Sequence, residues 1–201
     1  MRILLIFFIF LTAFSLALED YGSFADRSVI MKQIYGNTSP DTKYQEQLIA
    51  KKLAPDHRCL FEQIKLGDSE NVKLLLDAKV NPNQSYMGEH AIYIAAKENN
   101  FEIVKLLCEY GAKLDLGFFS ELYEAVRNKN KDMAQFLLGK GARVNYKDAV
   151  FNNTILYLSL KNKMYDISAQ LIEKGAKPDM PSVRYIKKHR LEYLIPGQNQ
   201  P

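Results

Sequence analysis

The residues with the greatest potential for chemistry are three histidines, two cysteines and a scatter of carboxylates. His57, His90 and His189 are far apart in the sequence, and no two of them are spaced as a helix would need to hold a metal ion. No Gly-x-Ser-x-Gly segment occurs, and neither cysteine can be paired with a histidine as nucleophile and base. The sequence therefore predicts no catalytic residue, no metal site and no cofactor.

The elements that would position any site are clearest in residues 88–115. Apolar residues recur there at helical spacing on both sides of a polar break at 98–100, and Gly111 follows the second run. This pattern predicts a helix, a tight turn, a second helix and a glycine that ends it.

The same pattern occurs four times within residues 59–179. Equivalent positions are 32, 30 and 34 residues apart, and units that repeat at such periods stack because one unit cannot bury its own apolar face. The predicted core positions are Leu60, Ile92, Leu122 and Leu156 in the first helices, and Val72, Val104, Ala134, Ser168, Leu75, Leu107, Leu137 and Leu171 in the second helices.

These units resemble ankyrin repeats. The family's Thr-Pro-Leu-His start survives in degraded form at 89–93, 119–123 and 153–157, and its Ala-Ala pair survives at 95–96. The resemblance implies an all-α solenoid of four helix-turn-helix repeats, at residues 59–87, 88–117, 118–149 and 150–180. It also implies that aromatic residues replace the family's histidine and join neighbouring repeats mainly by packing; these are Phe61, Tyr93, Tyr123 and Tyr157.

Both ends of such a stack need covers with a polar outer face. We expect an N-terminal capping helix within residues 39–58 and a C-terminal capping helix and tail within 181–201. The C-terminal capping helix is expected to continue to Pro196, with Leu191 and Leu194 among its apolar residues. Residues 18–38 form an N-terminal extension without a clear period.

Residues 1–17 have the composition of a secretory signal peptide. Arg2 precedes the apolar run 3–11, and small residues at 15–17 suit cleavage. An uncleaved anchor is the alternative, but residues 3–18 are fewer than the roughly 20 that a spanning helix needs. We therefore expect an exported protein, periplasmic in a bacterium and secreted otherwise.

Two alternatives remain open for the cysteines. Cys59 and Cys108 fall at the same side of adjacent repeats, but a disulfide needs Cα atoms within about 7 Å, whereas helices pack about one helix diameter apart. A bridge and two buried thiols are the two possibilities.

The resemblance implies that the two residues after each Ala-Ala position face a concave groove. The first of the two is basic in every repeat, so we expect a row of positive charge that binds an acidic protein surface; ordinary solvated lysines are the alternative. The net charge of +4 is too small to indicate a nucleic-acid partner. The groove residues are Lys65 and Leu66, Lys97 and Glu98, Arg127 and Asn128, and Lys161 and Asn162.

The loops between repeats, here called fingers, carry large apolar residues where a turn needs only small polar ones. Such residues are typical of interface hot spots, although one of Phe118 and Phe119 is expected to fold into the core. The finger residues are Tyr86, Met87, Leu116, Phe118, Phe119, Tyr146 and Phe151.

We interpret the chain as a monomeric, non-catalytic module that binds a partner protein through the groove and fingers. A more specific alternative is an immunity protein that neutralises an envelope-acting toxin enzyme; another is an accessory protein to a secreted stress enzyme. An enzyme, and a membrane contact through the basic residues of 184–190, are further alternatives.

Overall fold

Helix pairs dominate the part of the chain that the structure describes. The structure is a computed structural model, and it describes residues 44, 47–48 and 50–195. Four pairs follow one another in this part, and a further helix comes after them. The pairs are α1 (His57–Leu66) with α2 (Ser69–Asp77), α3 (Ala91–Lys97) with α4 (Phe101–Glu109), α5 (Glu121–Arg127) with α6 (Lys131–Gly139), and α7 (Ile155–Lys161) with α8 (Tyr165–Glu173); the further helix is α9 (Met180–His189).

The turn within each pair contains a left-handed residue, and in three of the four pairs a polar cap follows it; in the fourth pair Met164 follows Lys163 and makes no side-chain cap bond. In the second pair, Asn99 has φ +58° and the Asn100 side chain accepts a hydrogen bond from the Ile103 amide at 3.1 Å. Such a cap satisfies one of the amides that a helix start leaves unpaired. Asp68 and Asn130 cap α2 and α6 in the same way. The polar break is therefore a helix-capping signal.

The helices form two layers. The first helices of successive pairs, α1, α3, α5 and α7, pack against one another, while α2 packs on α4 and α6 on α8. All the core positions predicted from the repeat are buried, including Ser168, whose hydroxyl lies 2.8 Å from that of Ser159. The predicted helical solenoid is confirmed.

Three of the second helices end at the predicted glycines. Gly111, Gly141 and Gly175 have φ between +82° and +87°, a region that most side chains disfavour. In the first pair Lys79 occupies the equivalent place with φ +66°, so a non-glycine residue carries the same strained conformation there.

Short extended segments interrupt the all-α architecture at the fingers. Strand β1 (Ser85–Tyr86) pairs antiparallel with β2 (Glu89–His90), and Met87 and Gly88 form the turn between them. A single bridge joins Lys147 and Thr154 in a later finger. The repeat pattern in the sequence does not predict these strands.

The C-terminal cap is shorter than predicted. Helix α9 ends at His189 instead of continuing to Pro196, because Arg190 takes a left-handed conformation with φ +56°. A 3-10 helix at Glu192–Leu194 follows, and Leu191 and Leu194 are still buried. The expected apolar contacts are thus made after the chain has turned.

The N-terminal predictions fall largely outside the described residues. Positions 44, 47, 48 and 50 are helical, and Leu48 is buried against the core, as a cap requires. Helix α1 begins at His57, after the Asp56 cap and two residues before the predicted start of the first repeat. The predicted signal peptide (1–17) and extension (18–38) lie outside the described residues.

Both cysteines are free thiols. Cys59 is buried and Cys108 is half-buried, and burial raises the pKa of each thiol. The disulfide alternative is therefore wrong for this structure. No helix among residues 44, 47–48 and 50–195 has the length and apolar character to cross a membrane.

Candidate functional site

The predicted basic row lies at the ends of the first helices. Lys65, Lys97, Arg127 and Lys161 are all exposed and all occupy the last turn of their helix. A cation in that turn also complements the partial negative charge of the helix C-terminus. The row is thus present on the surface, but local helix stability gives it a second reason to be basic.

Intramolecular ion pairs divide the row. Lys97 Nζ lies 2.8 Å from Glu89 Oε1, and an Arg127 guanidinium nitrogen lies 2.7 Å from Glu124 Oε2. Lys65 and Lys161 form no ion pair with any residue that the structure describes. The outer two cations therefore offer more charge to a partner than the central two.

The remaining predicted groove positions differ in what they contact. Glu98 is exposed at the end of α3. Asn128 instead donates its side-chain amide to the carbonyls of Ala96 (3.1 Å) and Lys97 (3.3 Å). Asn162 donates likewise to Val126 at 2.7 Å. Asn128 therefore joins the third repeat to the first helix of the second, and Asn162 joins the fourth repeat to the first helix of the third.

The finger tips carry large exposed apolar side chains. Met87 is 84% exposed, Phe118 90% and Phe151 65%, and they come from three successive fingers. Phe119 is less exposed, since its ring stacks on Tyr93 with centroids 4.8 Å apart. At 41% exposure Phe119 still lies at the surface, so the expectation that one of the two folds into the core is wrong; Phe119 is only the more covered of the pair, and Phe118 projects.

Tyr86 and Tyr146 support the fingers from below. Tyr86 packs against Phe61 at 5.6 Å between ring centroids, and Tyr146 meets Tyr123 edge to face at 5.4 Å. Both tyrosines are half-buried, and burial raises the pKa of Tyr146. Their rings leave only part of their surface for a partner.

Tyr93 joins the second and third repeats by a hydrogen bond as well as by packing. Its hydroxyl donates to Glu124 Oε1 at 3.2 Å, and both side chains are buried. Burial raises the pKa of the Glu124 carboxyl, and the nearby Arg127 opposes this rise. The expectation that the aromatic at this position acts mainly by packing needs correction for Tyr93.

A ladder of polar side chains also crosses from repeat to repeat. Asn83 donates to the Gly111 carbonyl at 3.0 Å and accepts from the Lys113 amide at 2.8 Å. Asn145 makes the same two bonds two repeat intervals further on, to the Gly175 carbonyl and the Lys177 amide. Asp115 takes the intervening place and accepts from the Arg143 amide at 2.7 Å.

Arg143 clamps the finger at residues 115–120, which we call the third-repeat finger. Its guanidinium donates to the carbonyls of Gly117 (3.0 Å) and Phe119 (2.6 Å). Arg143 Nε lies 3.1 Å from Asp115 Oδ1, close enough for an ion pair but not aligned as a hydrogen bond. The clamp fixes the base of the loop whose tip is Phe118.

Directly after this finger lies a buried carboxyl group. Glu121 is 1% exposed, and its carboxyl accepts from the Asp115 amide at 3.3 Å. Burial is the main reason that the pKa of Glu121 rises to about 7, and the charge of Asp115 adds to the rise. The group is therefore poised to gain or lose a proton near neutral pH.

Sequence reasoning missed Glu121, Glu124 and Arg143. A signal was present, because the first helices of the second and fourth repeats have Ala91 and Ile155 where the third has Glu121. A carboxylate at a position that is apolar in other repeats indicates a burial that needs explanation. In the described residues, no cluster of three histidine, cysteine or acidic side chains could hold a metal ion.

The fold and these inter-repeat contacts define a stacked helix-turn-helix repeat protein. Residues 60–148 match the family model described as three copies of the ankyrin repeat. Residues 60–148 are thus ankyrin repeats, and the fourth helix pair lies beyond the matched residues. Ankyrin repeats are in general protein-protein interaction modules without catalytic activity.

Several curated proteins are similar to this chain. A fowlpox virus protein named as an ankyrin repeat protein, FPV240, is 32% identical over 61% of the chain and 31% of its own length. BRCA1-associated RING domain protein 1 of Caenorhabditis elegans is 24% identical over 80% of the chain and 21% of its own length. Alpha-latroinsectotoxin-Lt1a of Latrodectus tredecimguttatus is 33% identical over 50% of the chain and 7% of its own length. The chain spans less than a third of the length of each of these relatives.

Proposed function

We propose that the chain binds a partner protein through the ends of its first helices and its finger tips, and that it catalyses no reaction. The observation that carries the proposal is the row of exposed apolar tips, Met87, Phe118 and Phe151, on three successive fingers. No described residue covers them, and large apolar side chains that protrude from rigid supports are suited to enter pockets on another protein.

The charge of the first-helix ends suggests the chemistry of the partner. Lys65 and Lys161 are exposed and unpaired within the described part, so acidic groups on the partner would meet them without displacing an internal ion pair. Charges at such a rim act mainly on orientation and association rate, while buried apolar anchors supply most of the affinity. We therefore expect a partner with acidic groups beside apolar pockets.

Binding is tested by capture of partners on two variants of the full chain. One variant changes the tips, Met87→Ser with Phe118→Ser and Phe151→Ser. The other reverses charge at Lys65→Glu and Lys161→Glu. Lys97 and Arg127 are left unchanged, because a glutamate there would face Glu89 or Glu124 and could disturb the fold.

The matched control reverses two exposed lysines at the ends of second helices, Lys140→Glu and Lys174→Glu. These residues are the C-caps of α6 and α8. A glutamate there is repelled by the partial negative charge of the helix C-terminus, as a glutamate at Lys65 or Lys161 would be. We expect one protein from the cells that make the chain to be retained by the wild type and the control. The variant with three serines at the finger tips should lose this protein. The variant with Lys65→Glu and Lys161→Glu should bind it about tenfold or more weakly, with a smaller salt dependence of binding.

Equal retention by all variants would contradict the proposed surface. If the partner is found, its identity also separates the two specific alternatives. A toxin enzyme would support the immunity role, and a secreted stress enzyme the accessory role.

We propose further that the chain acts outside the cytoplasm. The support is the composition of residues 1–17, which lie outside the described part of the structure. The chain isolated from its own cells is expected to begin at Leu18 by intact mass. A chain that retains Met1 and stays in the cytosolic fraction would contradict export.

A further inference from the structure

The buried Glu121 carboxyl sits where the third-repeat finger meets helix α5. It is almost fully inaccessible, it accepts a hydrogen bond from the backbone of Asp115, and it lines a crevice with His90, Gly117 and Phe119. The finger carries Phe118 at its tip, so the carboxyl lies beneath one of the proposed binding residues.

Charged and titratable groups face Glu121 from each element around it. Asp115 approaches from the finger and Arg143 from the loop after α6. His90 and Tyr93 approach from the second repeat, and Cys108 from α4 lies near enough for the Glu121 charge to raise its pKa. Arg143 is already committed to Asp115 and to two finger carbonyls, so it cannot also serve as a full counter-ion for Glu121.

Packing does not require an acid at this position. The equivalent residues in the other three repeats are Cys59, Ala91 and Ile155, and all three are buried without a carboxylate. A carboxyl kept in such a place destabilises the fold whenever it is ionised. Its presence therefore suggests a role other than stability.

We propose that the third-repeat finger is a proton-sensitive part of the binding surface, closed when Glu121 is protonated and loosened when Glu121 loses its proton. The consequence for binding depends on the proposed function, whereas the motion itself does not. The finger is the mobile partner in this scheme because α5 is packed between α3 and α7, while the tip of the finger contacts solvent.

The sign follows from the environment of the carboxyl. Burial and Asp115 place the pKa of Glu121 at about 7 in the folded chain, above the ordinary value near 4.3. A carboxyl with a raised folded pKa favours the closed structure most below its unfolded pKa. That advantage is lost progressively as the pH rises from about 4 to about 7 and above. Lifting residues 115–119 is the most direct way for water to reach the ionised carboxylate.

The test follows two signals of the full chain without any partner. Carbon-13 NMR of the glutamate carboxyl groups reports the titration of Glu121. Hydrogen exchange of the peptide around 113–120, corrected for intrinsic exchange rates, reports finger opening at pH 5.5 and pH 8. We expect a Glu121 midpoint well above those of exposed glutamates, and several-fold faster finger exchange at the higher pH.

Glu121→Gln should remove most of the pH dependence of finger exchange while keeping a neutral, hydrogen-bonding group. Asp115→Asn removes a neighbouring charge and should lower the Glu121 midpoint. That variant is expected to fold, since asparagine occupies the same ladder position at Asn83 and Asn145. Glu124→Gln is the matched control, because it neutralises a second buried carboxyl on α5, and it should leave the finger's pH dependence intact.

His90→Gln tests the histidine in the crevice. Finger exchange that loses its pH dependence in His90→Gln but keeps it in Glu121→Gln would overturn the proposal. So would a Glu121 midpoint in the range of exposed glutamates. No partner is present in these measurements, so a failed capture experiment would not affect their result. The absence of pH-dependent finger opening, in turn, would not contradict the proposed binding surface.

Discussion

Tyr93→Ala is expected to lower the free energy of unfolding by about 3–4 kcal/mol. The ring is 6% exposed, stacks on Phe119, and lies between the second and third repeats. Its removal leaves a cavity at an interface that cannot close without moving a whole helix pair. In a stack whose stability depends on contacts between neighbours, such a loss is felt beyond the mutated repeat.

Tyr93→Phe separates the hydroxyl from the ring. It keeps the packing and removes only the hydrogen bond to Glu124, so a loss of about 1 kcal/mol is expected. Urea unfolding monitored by circular dichroism measures both variants. Phe118→Ala is the control, since a side chain that is 90% exposed should add little to stability yet matter for binding.

The order in which stability and partner binding are lost tests the structural role of Tyr93. Tyr93→Ala should reduce stability before it reduces partner binding, and Phe118→Ala should do the reverse. A Tyr93→Ala protein of unchanged stability that no longer binds would show that the tyrosine belongs to the contact surface.

The fold was predictable because its signal is local and repeated. Burial of Leu60, Ile92, Leu122 and Leu156 follows from helical spacing within each unit, and four copies in register remove the ambiguity of one copy. The glycine stops and polar caps also depend only on neighbouring residues. The course of the chain after α9 was mispredicted because a left-handed arginine at 190 leaves no mark in a sequence pattern.

The site was less predictable because its properties depend on side-chain geometry and, for the bonds of Tyr93 and Asn128, on partners about 30 residues away. The basic row could be located, but the pairing of Arg127 with Glu124 and of Lys97 with Glu89 depends on side-chain geometry. The bond between Tyr93 and Glu124 spans two repeats, and the double role of Asn128 depends on the end of α3. These contacts decide which charges are left for a partner.

Arg143→Met is expected to lower the free energy of unfolding by about 2–3 kcal/mol. The substitution removes the ion pair with Asp115 and both hydrogen bonds to the finger carbonyls while keeping most of the side-chain volume. The estimate lies below the range for fully buried pairs because the Arg143 side chain is 35% exposed. Arg143→Lys should recover only part of the loss, since an ammonium group cannot span the three acceptors as the guanidinium fork does.

The loss in Arg143→Met should also depend on pH. Without the arginine, an ionised Glu121 has lost a positive charge that opposes the rise in its pKa, so the destabilisation should be larger at pH 8 than at pH 5.5. Chemical denaturation at the two pH values measures the difference. Arg127→Met provides the comparison, because it removes an arginine whose ion-pair partner is Glu124 and not Asp115.

A double-mutant cycle with Asp115→Asn shows whether the clamp acts through the carboxylate. If the main loss in Arg143→Met comes from an unpaired Asp115 beside Glu121, then Asp115→Asn should restore about 1 kcal/mol or more in the double variant. Simple additivity of the two substitutions would mean that Arg143 acts only through the finger carbonyls. In that case the charge of Asp115 would not link the clamp to Glu121, and any pH dependence of Arg143→Met would come from the direct loss of the arginine charge near Glu121.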